Sequence, residues 1–157
     1  MIKELIIVNM AGIALFYQNF EKKDVENYQS IAAFFTALNS FAKESVKDDL
    51  NMIQMGTDIF YFYSDQNLNY IIKCALKTVD EKRINELAKR IINQFKNKFS
   101  DEIENFEGAI TIFDTFTEDL DDICQVKIKT KEKSSKILQN FLGLDKQIDY
   151  KKVLDGL

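Results

Sequence analysis

Residues 2–20 constrain the fold more than any other stretch of the chain. Two apolar runs, Leu5–Val8 and Ile13–Tyr17, are separated only by Asn9-Met10-Ala11-Gly12. A short spacer with Asn and Gly between two β-prone runs predicts an antiparallel hairpin, with strands over 3–9 and 12–18. A lone hairpin is only marginally stable in water, so later segments must cover its apolar side chains.

The polar connection "EKKDVENY" (21–28) leads to the first such segment, "SIAAFFTALNSFAKE". The spacing predicts a helix from Ser30, its expected N-cap, to about Lys47. Ile31, Phe34, Phe35, Leu38, Phe41, Ala42 and Ser45 recur at steps of three and four and form its stripe. Phe34, Phe35, Leu38 and Phe41 are therefore expected against the sheet, with Ile7, Leu15 and Ile71. Three short strands should follow, at about 50–55, 57–63 and 68–76. Gly56-Thr57-Asp58 and Ser64-Asp65-Gln66-Asn67 break them with turn chemistry. In the middle strand Ile59, Tyr61 and Tyr63 alternate with Phe60 and Phe62. The expectation is a sheet with one face covered by helices and the other partly apolar.

Residues 80–99 read as a second helix capped by Asp80, with a stripe of Ile84, Leu87, Ala88, Ile91, Ile92, Phe95 and Phe99. A third helical pattern over 101–124 carries Ile103, Phe106, Ile110, Phe113, Phe116, Leu120 and Ile123, with Gly108 as an interruption. The fold class is thus α+β: a five-stranded antiparallel sheet in the order β-β-α-β-β-β-α-α, plus a C-terminal helical tail. The first helix is expected on one face, joined there by the last two. At 157 residues one domain is expected, over 1–126. Residues 127–157 read as a lysine-rich linker and a short amphipathic helix that stops at Gly143.

Composition excludes much chemistry. The chain has no histidine, which removes Ser-His-Asp and Cys-His nucleophiles and His-based metal sites. Its five glycines are isolated, so no phosphate-binding loop exists. The acidic run Glu118-Asp119-Leu120-Asp121-Asp122 lacks the ligand spacing of a calcium loop and reads as a solvated helix face. No catalytic residue, cofactor or metal is expected, and the chain does not read as an enzyme. Residues 1–126 carry 13 basic and 21 acidic side chains, which argues against nucleic acid as a partner. The tail carries 8 basic and 4 acidic ones, which allows at most peripheral membrane contact. Glu4 and Asn9 interrupt the first apolar region, so it does not read as a signal peptide. Two cysteines, Cys74 and Cys124, and no apolar run long enough to span a bilayer give a reduced, cytoplasmic protein as the default.

The element order resembles the longin domain, the profilin-like module of trafficking SNAREs, adaptor small chains and sedlin-type tethering subunits. "LIIVNMAGIALFYQNF" is similar to its opening hairpin and "SIAAFFTALNSFAKE" to its first helix. "IQMGTDIFYFYSDQNLNYIIKCAL" is similar to its next three strands, and "LAKRIINQFKNKFSDEIENFEGAITIFDTFTEDLDDI" to its closing helices. The likeness covers about residues 1–124. The related roadblock module begins with a helix, whereas this chain begins with a strand, so longin is favoured. The composition also resembles stand-alone longin proteins of archaea. The resemblance implies a non-enzymatic protein-binding module that forms homo- or heterodimers. It would be a platform or regulatory subunit for a small GTPase in membrane-trafficking-like machinery. The alternative is a structural module that captures a SNARE-like helix, or the chain's own tail. The expected protein-binding residues are Ala14, Phe16 and Gln18 on the edge strand, and Ala33, Ala37 and Ser40 on the small-residue face of the first helix. Ile137 and Phe141 are expected to contribute from the tail.

Overall fold

The computed structural model describes residues 2–21 and 27–123. Five strands form one antiparallel sheet: β1 (Ile2–Asn9), β2 (Ala14–Asn19), β3 (Met52–Met55), β4 (Asp58–Ser64) and β5 (Leu68–Ala75). Their spatial order is β2-β1-β5-β4-β3. Helix α1 spans Tyr28–Phe41 and α2 spans Glu81–Glu104. A 3-10 turn, Thr111–Thr115, leads into helical residues 116–123. Residues Asp121–Leu157 separate as a second unit, of which only 121–123 are described. The expected tail helix, with Ile137, Phe141 and Gly143, lies outside the described residues, as does Cys124. Cys74 is a buried free thiol.

The hairpin forms as its turn chemistry dictates. Asn9 Oδ1 accepts hydrogen bonds from the backbone N–H groups of Ala11 (3.1 Å) and Ile13 (3.0 Å). Gly12 closes the turn at φ +84°, a left-handed conformation that L side chains resist. β1 is central and β2 lies at an edge, with a register shift between Ile7 and Val8.

The helices cover opposite faces of the sheet, which corrects the expectation that all would share one. Tyr70 and Ile71 are consecutive in β5, so their side chains leave on opposite sides. Ile71 packs with Ile6, Val8, Ala14 and Phe62 beneath Ala32 and Phe35 of α1. Tyr70 instead meets the Phe95 ring of α2 at 6.4 Å. The reason is in β5 itself: Leu68, Tyr70, Ile71, Ile72 and Cys74 are all buried. A strand apolar on both sides needs two covers. Ile7 pairs with Phe16 and Tyr70, so it belongs to the α2 face and not beneath α1. Leu15 is buried, but it is not among the residues packed under α1.

Helix α1 also differs in start and phase. It begins at Tyr28 with Asn27 as N-cap, so Ser30 is inside the helix and caps nothing. Its first turn is fixed by Gln29 instead. The Gln29 amide accepts from Ala14 N–H (3.0 Å) and donates to the Ala14 carbonyl (2.9 Å). The Tyr28 ring stacks on Tyr17 at 4.9 Å. The buried residues are Ala32, Phe35 and Asn39, while Phe34 and Phe41 are 54% and 59% exposed. Two stripes with helical spacing pass through Phe35, and the structure uses the one with small Ala32. That lets the helix backbone lie close over Ala14, which is also fully buried. After Phe41 the chain makes a π-turn, Ala42–Val46, and ends at Lys47 with φ 63°.

Helix α2 follows its pattern closely. Asp80 caps it by accepting from Arg83 N–H at 3.2 Å. Ile84, Leu87, Ala88, Ile91, Phe95 and Phe99 are buried. The helix kinks at Phe99 (φ −121°, ψ 26°) and then runs on to Glu104, and Gly108, at φ +102°, lies in the break that follows. Phe113, Phe116 and Leu120 are buried after it.

Charged side chains cross the sheet from β1 through β5 to β4. Lys73 Nζ lies 2.9 Å from Glu4 and 3.6 Å from Asp58, and Lys3 Nζ lies 2.6 Å from Asp58. The hydrogen bond from Lys3 holds the Asp58 carboxyl below its ordinary value of 3.8, against the opposing effect of desolvation. A lowered carboxylate pKa contributes stability that is present above the unfolded value and lost as pH falls through the folded one. Unfolding free energy should therefore drop below about pH 4, and Asp58→Asn should flatten that acid limb. Denaturant titrations at several pH values check this; parallel acid limbs in both proteins would remove Asp58 as the cause.

Candidate protein-binding surface

Helix α1 carries no charged residue along its 14 positions. Its outward side presents Ala33, Ala37 and Ser40, all exposed, with Phe34 and Phe41 beside them. Thr36 is half-buried, and its hydroxyl donates to the Ala32 carbonyl at 2.8 Å. An uncharged outer face is unusual for a helix on a protein surface, where polar and charged residues normally face water.

This face continues toward β3. The Phe34 ring meets Phe35 edge-on at 5.3 Å, and Phe35 meets Phe60 at 5.0 Å. Phe60 pairs with Ile53 across β3–β4, and Met55 pairs with Asp58. Paired residues share a face, so Ile53 and Met55 lie on the α1 side. Leu38, Leu50 and Ile53 are half-buried against the α1 core, and Met55 is 53% exposed. Residues 50–57, "LNMIQMGT", hold no charge. Among the described residues β3 has no strand on its outer side. It also lacks the lysines, prolines and bulges that usually protect an edge.

The other edge is more closed than the sequence suggested. Gln29 occupies both backbone groups of Ala14. The turn Thr111–Thr115 packs against β2, and Phe116 meets Phe16 at 5.4 Å. Ala14 and Phe16 are 0% and 3% exposed, so both expected contact residues are core. Gln18 is half-buried, and its Oε1 accepts from the Thr117 hydroxyl at 3.4 Å. The structure thus brings Ala33, Ala37 and Ser40 together on an open surface and sets the β2 residues apart from it. Phe34, Phe41, Ile53 and Met55 are the residues missed. Their signal was the absence of charge across 28–41 and 50–57.

Among the described residues, no group of histidine, cysteine, aspartate and glutamate could hold a metal ion. No helix among them is long and apolar enough to cross a membrane.

No family model matches the chain, and no curated protein matches it. Solved structures do. The mammalian SRP receptor structure is similar at 13% identity over 85% of this chain and 98% of its own, with a TM-score of 0.50. MglB of Myxococcus xanthus is 13% identical over 61% of this chain and 85% of its own, with a TM-score of 0.47. A roadblock/LC7 domain from Streptomyces avermitilis is 8% identical over 48% and 68%, with a TM-score of 0.39. At such identities the likeness is one of fold. The five-stranded antiparallel sheet with its helices is the α+β fold that the sequence led us to expect.

Proposed function

We propose that this chain is a non-catalytic protein-binding module, a platform or regulatory subunit for a small GTPase, working as a homo- or heterodimer in the cytoplasm. One observation carries the reading: an uncharged apolar surface runs from the outer side of α1 to the unpaired edge of β3. Such a surface, offering exposed phenylalanines next to free backbone groups, suits a partner that adds a helix or a strand. The absence of histidine and of a phosphate-binding loop supports a role in binding rather than chemistry. The GTPase comes from the longin resemblance, and Ala33, Ala37 and Ser40 are its proposed contact residues.

The test is capture of small GTPases of the source organism, loaded with GDP or a non-hydrolysable GTP analogue. Binding that depends on nucleotide and is lost in Ala37→Arg supports the proposal. Capture unaffected by Ala37→Arg would place the contact elsewhere.

A second reading has support in the sequence of the tail. Ile137, Leu138, Phe141, Leu142 and Leu144 recur at helical spacing, and an uncharged surface suits such a stripe. In this reading the surface captures a SNARE-like helix, or the tail itself. Deleting 127–157 should then raise affinity for the GTPase; unchanged affinity removes the tail as a competitor.

A further inference from the structure

The opposite side of the molecule has a different chemistry. Residues 87–100 of α2 contain Lys89, Arg90, Lys96 and Lys98 and no acidic residue. The rest of 1–126 holds 9 basic and 21 acidic side chains, a net −12. The run lies on the face away from α1, and two of its cations are already paired, Lys96 with Asp65 at 3.5 Å and Lys98 with Asp119; Arg90 is the groove cation without a carboxylate partner among the described residues.

Within it, Arg90, Asn93, Gln94, Asn97 and Lys98 line a surface groove with Asp119 on the far wall. Asp119 is already engaged: Lys98 bonds its carboxylate and donates to the Thr115 carbonyl at 3.1 Å, and Gln94 donates to it at 3.3 Å. Among the described residues, the side chains of Arg90, Asn93 and Asn97 have no hydrogen-bond or ion-pair partner. They stand at i, i+3 and i+7, so they share one side of the helix over about 10 Å. That is the length of about three extended residues.

We infer that this groove on α2 is a docking site for an acidic peptide segment. Arg90 offers a planar fork that takes a carboxylate through two parallel hydrogen bonds. Asn93 and Asn97 each offer a donor and an acceptor, the pair a peptide main chain requires. A short acidic segment is favoured over a larger polyanion by range. Charges beyond about 8–10 Å are screened at physiological salt, so a ligand confined to the groove meets Arg90 and the Lys98–Asp119 pair. A nucleic acid or an anionic membrane would extend over the −12 remainder. The site does not depend on the α1–β3 surface, because the sheet separates them.

The test uses the full chain and a fluorescein-labelled glutamate hexapeptide, followed by anisotropy at low and physiological salt. Saturable binding is expected. Arg90→Glu should weaken it at least ~10-fold, in line with loss of a bidentate charged contact. Asn97→Ala should weaken it by a few-fold, and Arg90→Lys should not restore wild-type affinity. Lys82→Glu, the same charge change on α2 outside the groove, should leave affinity within ~2-fold. No saturable binding, equal losses for Arg90→Glu and Lys82→Glu, or tighter binding to phosphatidylserine vesicles or an oligonucleotide than to the peptide would each overturn the inference.

Discussion

Phe95→Ala is expected to lower the unfolding free energy by ~3–5 kcal/mol, with the same change at Phe41 costing well under 1 kcal/mol. Phe95 is fully buried, and its ring joins β2, β5, its own helix and the segment that holds Phe113 and Phe116. It meets Phe16 of β2 and Tyr70 of β5 at 6.4 Å each, Phe99 of its own helix at 4.9 Å, and Phe113 and Phe116 at 5.6 and 4.9 Å. Alanine there leaves a cavity whose walls belong to separate elements and cannot close together. The loss of the ring pairs is contained in the ~3–5 kcal/mol and places it toward the upper end. Domains of this size have only ~5–15 kcal/mol to lose, so the variant should stand near its unfolding threshold. Urea titration with an unchanged m-value checks the result. A loss below ~1 kcal/mol would mean that the cluster is not packed as described.

The contrast between Phe95 and Phe41 also shows what the sequence could convey. The stripe of α2 was legible because it stands on a charged background. Lys, Arg, Glu, Asn and Gln occupy the positions between Ile84, Leu87, Ala88, Ile91, Phe95 and Phe99, with half-buried Ile92 the one apolar exception, so only one phase fits. In α1 nothing charged marks the outward side, and 31/34/35/38/41 competes with 28/32/35/39. Tertiary contacts decided: the Gln29 clamp on Ala14, and the close approach allowed by Ala32. Gln29 was hidden within a segment read as polar connection, and Ser30 beside it had the better propensity for a cap. The hairpin was legible because Asn9 and Gly12 act locally. The placement of helices on both faces was less so, although the unbroken apolar character of β5 carried the signal. For the candidate surface, the small residues of α1 were expected from their spacing, and they are exposed. The phenylalanines next to them were assigned to the core, because periodicity reports that apolar residues share a side and not which side is inward.

Phe34→Glu with Phe41→Glu is therefore expected to leave the unfolding midpoint nearly unchanged and to abolish association. Both rings are more than half exposed, so an ionised carboxylate at either place stays in water and meets no desolvation cost in the isolated chain. In a complex the same carboxylate would be buried against an apolar partner without a counter-charge, and α1 and 50–57 offer none. Aromatic anchors at the centre of an interface cost ~2 kcal/mol or more when truncated, about 30-fold in dissociation constant. A buried unpaired charge adds to that. Analytical ultracentrifugation should show concentration-dependent association of the wild-type chain and none of the double variant, with matching thermal melts. If the variant melts well below the wild type, the two phenylalanines belong to the core after all. If it associates as the wild type does, the α1 face is not the contact, and the unprotected edge of β3 becomes the next place to introduce a charge.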